Sequence, residues 1–161
     1  MKVYRLHPTQ DLPIDLETAW SFFSDPRNLS EITPPELRLT VLTEQLPERM
    51  HEGMIIRYTL HPWLRVRIGW VTEITHVDEP HTFVDEQRFG PYRFWHHLHR
   101  FSPTESGVEV EDTVHYATPM GILGRPFHGL LVKRSLDRIF DYRKKVLADR
   151  FGIVRSQQET E

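Results

Sequence analysis

Between positions 37 and 116 the apolar residues recur at every second position in six runs, 37–43, 54–60, 65–76, 81–89, 92–102 and 108–116. A period of two is the spacing of a strand with one face buried, and a helix cannot satisfy it. The runs are separated by turn chemistry: Pro47 with Gly53, His61-Pro62, Asp78-Glu79-Pro80, Gly90-Pro91 and Ser106-Gly107. Long strands joined by such short connections pair in sequence order as an antiparallel meander.

The segments flanking the meander are helical. Asp15 stands as an N-cap before LETAWSFFSD, whose Leu16, Ala19, Trp20 and Phe23 share one face, and Asp25-Pro26 ends that helix. A second short helix over 27–32 stops at Thr33-Pro34-Pro35, and a short strand over 3–6 precedes both. After the meander a helical pattern runs over 125–151, with Phe127, Leu130, Leu131, Ile139, Phe140, Val146, Leu147 and Phe151 as its apolar positions and Gly152 as its stop. A helix of about 26 residues is roughly 39 Å long, enough to span the sheet. The Gly121-Ile122-Leu123-Gly124 stretch before it lacks a P-loop lysine and is expected to hinge the chain into the helix.

Composition removes several function classes. The 161 residues suit one domain, expected over 1–154 with a polar, flexible tail over 155–161. There is no cysteine, which excludes disulfides, thiolate metal sites and a cysteine nucleophile and suits a reducing compartment. The N-terminal MKVYRLHPTQDLPID has no apolar h-region, and no apolar run approaches the ~20 residues of a membrane span, so a cytoplasmic protein without stable membrane insertion is expected. Net charge is −3, and the basic KRSLDRIFDYRKK stretch interleaves acids, so no nucleic-acid partner is expected. Histidine is the oddity, with 10 copies, four of them at His96, His97, His99 and His115.

The pieces AWSFFSDPRNLSEITPP, GMIIRYTL, GWVTEI, FVDEQRFGPYRFWHHLHRF and DTVHYATPMG, in this order of elements, resemble the START-like, or Bet v 1-like (SRPBCC), superfamily, and within it a bacterial ligand-binding or polyketide cyclase/dehydrase-like branch. The resemblance runs from about residue 3 to residue 151. It implies the α+β helix-grip fold: a curved antiparallel sheet of about seven strands wrapped around a long C-terminal helix, with two short helices after the first strand. It also implies a small hydrophobic ligand between sheet and helix. The superfamily carries transfer proteins, receptors and enzymes on one scaffold, so the resemblance leaves the activity open.

Alternation assigns the inward residues. Trp95, His97, His99 and Phe101 share one face of their strand, and His96 and Arg100 share the other. Phe83, Asp85, Gln87 and Phe89 share a face of the preceding strand, and Val108, Val110, Asp112, Val114 and Tyr116 of the following one. Further along, Val66, Ile68, Trp70 and Ile74 face Met54, Ile56, Tyr58 and Leu60. The expected ligand-binding residues are Tyr58, Trp70, Gln87, Trp95, His97, His99, Asp112, Val114 and Tyr116, and Trp63 in the 61–63 loop is a candidate gate.

Buried Asp85, Gln87, His97, His99 and Asp112 must bond to one another, to water or to a ligand. Four readings follow. They form a satisfied structural network; they anchor the polar handle of a hydrophobic ligand held by a carrier or sensor; they supply a His-Asp acid/base pair from His97, His99 and Asp112 to a cofactor-independent cyclase or dehydratase; or His97-x-His99 with a carboxylate holds a metal. No metal and no cofactor is assigned from the sequence. A filled-core interaction domain stands as a further alternative.

Overall fold

The computed structural model describes residues 2–61, 66–118 and 132–154. Pro62 and Trp63 of the 61–63 loop, the 121–124 hinge, positions 125–131 of the expected helix and the tail 155–161 lie outside the described residues. The elements are strands β1 (Tyr4–Leu6) and β2 (Thr9–Leu12), helix α1 (Leu16–Phe23), two 3-10 turns (Pro26–Ser30 and Pro35–Leu37), strands β3 (Thr40–Val41), β4 (Ile55–Leu60), β5 (Ile68–Asp78), β6 (Thr82–Phe89), β7 (Phe94–Thr104) and β8 (Gly107–Ala117), and helix α2 (Lys133–Phe151). The sheet runs β1-β8-β7-β6-β5-β4-β3 with every neighbour antiparallel, and β2 also pairs with β8. The sequential meander is therefore present, closed on one side by the N-terminal strands.

Local chemistry accounts for most boundaries. The Asp15 carboxylate accepts from Thr18 N at 2.7 Å, satisfying one of the free amides at the start of α1. Ala19, Trp20 and Phe22 of that helix are buried, and the Trp20 ring meets Phe83 and Phe101 edge-on at 5.9 Å each. Helix α2 ends where Gly152 takes φ +97, a conformation a side chain resists, and its amide closes on Ala148 O at 2.9 Å. Nineteen helical residues give about 28 Å of α2.

Four expectations are corrected. The single N-terminal strand is two, because Pro8 has no N–H to give the ladder; its carbonyl still accepts from Asp112 N at 3.0 Å, and His7 reaches Thr113 Oγ1 at 2.9 Å. The strand expected over 37–43 shrinks to Thr40–Val41, because Pro35 starts a helical turn that ends at Arg38 in a left-handed conformation (φ 45). Phe89 does not join the inner face of β6. The β5–β6 register shifts between Val71 and Thr72, so Gln87 pairs with Thr72 but Phe89 with Val71, and the extra residue flips Phe89 outward to 67% exposure. Val66, just before β5, is likewise exposed.

A buried core gathers Leu12, Trp20, Ile56, Phe83, Phe101, Val108 and Leu147 at one end. A second group, Trp95, Val114, Tyr116, Leu136 and Phe140, packs α2 onto β7 and β8. Among the described residues, no helix is long and apolar enough to cross a membrane.

Candidate functional site

Between the two apolar groups the sheet and α2 enclose a cavity of about 540 Å³, so the core is not filled. Its wall is mostly apolar: Phe22 and Phe23 from α1, Ile56 and Tyr58 from β4, Ile68, Trp70 and Ile74 from β5, and Leu136, Ile139 and Phe140 from α2. Trp70 packs against both apolar groups, edge-on to Trp95 at 5.2 Å and to Tyr92 at 5.7 Å, with its indole N–H given to Thr72 Oγ1 at 3.0 Å.

The polar pole of the cavity lies on β6 and β7. Trp95, His97, His99 and Phe101 are all buried and Phe94, on the opposite face of the strand, is exposed, so β7 has the orientation its alternation predicts. His96 faces the other side, where its ring is 6.2 Å from His115, and Arg100 reaches Glu111 there. Antiparallel register sets Asp85 opposite His97 and His99 opposite Asp112, which brings four titratable side chains from three strands together.

Their contacts form a ring. His97 lies 2.8 Å from Asp112 Oδ1 through Nε2 and 3.2 Å from Asp85 Oδ2 through Nδ1. His99 lies 2.9 Å from Asp85 Oδ2 through Nε2. Its Nδ1 is 2.9 Å from Asp112 Oδ1 but off the bond direction, and makes no aligned hydrogen bond. The imidazole centroids are 3.7 Å apart with the rings tilted by 36°, and Phe83 stacks on His99 at 4.0 Å. Trp95 Nε1 adds a 3.3 Å bond to Asp85, and Arg143 Nη1 gives 3.0 Å to Asp112 Oδ2.

Burial alone would raise both carboxyls and lower His97. Instead the charges and bonds of His97 and His99 hold Asp85 far below the usual carboxylate range. Arg143 and then the two histidines hold Asp112 well below it. The Asp85 charge and the bonds to both carboxylates lift His97 to about 9. With His97 an imidazolium, two anions face two cations and the buried group balances. Burial, with the nearby Asp85 charge, keeps the Tyr58 phenol un-ionised at any ordinary pH.

The expected site residues divide. Tyr58, Trp70, Trp95, His97 and His99 line the cavity together with Asp85. Asp112 stands behind the histidines, on a smaller cleft of about 220 Å³ lined also by Gln10, Lys144 and Leu147. Val114 and Tyr116 pack in the second apolar group. The Gln87 amide is spent on a backbone: Nε2 gives to Tyr92 O at 2.6 Å and Oε1 accepts from Tyr92 N at 3.2 Å. Arg143 was absent from the sequence expectation. It sits in the stripe Leu136, Phe140, Leu147 at helical spacing, and a cation within an apolar stripe is the signal that marks it.

A curved antiparallel sheet closed on a long C-terminal helix, with a cavity between them, defines a helix-grip protein. Solved structures agree: a START superfamily protein from Mycobacterium smegmatis (14% identity, TM-score 0.67, 91% of this chain and 96% of that one), protein Ms6760 from the same organism (20%, 0.64, 93% and 98%) and Ara h 8.0201, a Bet v 1 homologue (13%, 0.61, 92% and 99%). The chain has the START/Bet v 1-like fold. At these identities the likeness is one of fold alone. No protein-family model and no curated protein matches the sequence.

Proposed function

We propose that this protein binds a small, largely apolar molecule carrying one polar group, as a carrier or sensor. The observation that carries the reading is the cavity itself: about 540 Å³, walled mainly by aromatic and aliphatic side chains, with Asp85, His97 and His99 clustered on one wall. Trp70 and Tyr58 serve as wall, and the Asp85–His97–His99 cluster as a whole meets the polar group. Asp112 acts through the two histidines.

The enzyme reading has one supporting observation, the 2.8 Å contact of His97 Nε2 with Asp112. Against it, both His97 nitrogens face carboxylates, His99 Nε2 is held by Asp85, and His99 Nδ1 is turned to Asp112, so neither ring presents a nitrogen to take a substrate proton. Binding is therefore preferred to turnover. Native mass spectrometry of protein purified from its own host tests this. A retained small molecule, displaced competitively by an environment-sensitive dye, is the expected result. A mass equal to the bare chain, together with no saturable dye binding, overturns it.

A further inference from the structure

We propose that Asp85, His97 and His99 form a binding site for one divalent first-row transition-metal ion, with Asp112 and Arg143 as its outer support. One ligand atom from each of the three residues lies within 4.8 Å of the other two, and all three residues line the cavity. The distances suit coordination as well as hydrogen bonding. Two ligand atoms each about 2.1 Å from an ion, at about 90–100° to one another, are roughly 3.0–3.2 Å apart. Asp85 Oδ2 is 2.9 Å from His99 Nε2 and 3.2 Å from His97 Nδ1. An ion enters by replacing the protons on those two nitrogens.

Both edges at the Asp85 oxygen are shorter than the roughly 3.4 Å of an ideal tetrahedral set. Two imidazoles and one carboxylate on one side of an ion leave the remaining positions open, here toward the cavity. Imidazole nitrogens select iron, cobalt, nickel, copper or zinc over calcium, magnesium and manganese.

The outer residues supply what metal-bound histidines use. A ligating imidazole keeps its second N–H and gives it to a carboxylate, which fixes its tautomer and orientation. Asp112 Oδ1 is 2.8 Å from His97 Nε2 and 2.9 Å from His99 Nδ1, the nitrogens turned away from Asp85. One oxygen thus serves both rings, and Arg143 pins its partner oxygen at 3.0 Å. The off-axis His99 Nδ1, without an aligned bond in the present arrangement, gains its bond by a small rotation of the ring. With both imidazoles neutral, Asp85, Asp112 and Arg143 sum to −1, and a dication takes the site to +1. An acidic oxygen on a ligand in the cavity completes that charge balance.

The test uses tag-free protein, stripped with chelator and titrated with Co²⁺ under anaerobic conditions by visible absorption and calorimetry. One saturable equivalent with ligand-field bands is expected. Asp112→Asn should weaken Co²⁺ binding about 10–100-fold. Asp85→Asn, checked for fold by circular dichroism, should weaken it further. His96→Gln with His115→Gln removes the competing surface pair and should leave the stoichiometry at one. Because these histidines are buried and their removal would strand two carboxylates, ¹⁵N imidazole NMR of the wild-type protein with Zn²⁺ gives a second measurement: His97 Nδ1 and His99 Nε2 should shift. Absence of saturable binding by the folded wild type, binding lost with His96 and His115, or Zn²⁺ shifts confined to other histidines overturns the proposal. No cavity ligand is present in the titration, so its failure leaves the binding function standing.

Discussion

Arg143 on α2 gives a 3.0 Å hydrogen bond to Asp112 on β8, across 31 residues of chain, and both side chains are nearly excluded from solvent. The pair ties the long helix to the sheet directly behind the two adjacent histidines. A buried ion pair is a weak source of net stability, but breaking one side of it leaves an uncompensated charge. Asp112→Asn should therefore cost about 3–5 kcal/mol in urea unfolding. Adding Arg143→Met removes the stranded cation, so the double variant should recover part of the loss. A single variant within about 1 kcal/mol of wild type would show the pair to be structurally idle.

Trp70→Ala opens the wall where three aromatic rings meet. In a folded variant, dye or ligand affinity should fall by about 1–3 kcal/mol. Unchanged affinity by fluorescence titration excludes the ring from the contact surface.

Gln87→Ala discriminates a ligand anchor from a backbone brace. Its amide makes two bonds to Tyr92, and Gly90 leaves it room, since a Cβ there would collide with the Gln87 side chain. At about 0.5–1.5 kcal/mol net per bond, the loss should appear as roughly 1–3 kcal/mol of stability. Dye affinity should change less than in Trp70→Ala. The reverse ordering would make Gln87 an anchor.

Alkaline stability follows from the phenols. Burial raises Tyr58 and Tyr92 above the ordinary phenol range, and burial with the Asp137 charge and Tyr4 pushes Tyr116 up to about 12. A raised folded-state value means the stabilisation is complete below the unfolded value of about 10 and is lost as pH climbs past it. Ultraviolet titration should show these phenolates appearing together with unfolding above pH ~10. Their ionisation near 10 in a chain that stays folded would contradict the burial described.

The inner faces of β7 and β8 were legible in the sequence, because alternation is a local rule and both strands run unbroken: Trp95, His97, His99 and Phe101 point in, as do Val108, Val110, Asp112, Val114 and Tyr116. The cap at Asp15 and the stop at Gly152 were legible for the same reason. Where one inserted residue changes the register, as at β6, the same rule misplaces Phe89, and only the pairing with β5 reveals the shift. The fate of Gln87 depended on a loop folding back onto it, and the break between β1 and β2 on the partner strand that tolerates it. Arg143 became part of the site through the rotation of α2 against the sheet, which no local pattern specifies. The sequence alone determined which side chains share a face; tertiary structure decided which faces meet, how much space they leave, and which charges are buried together.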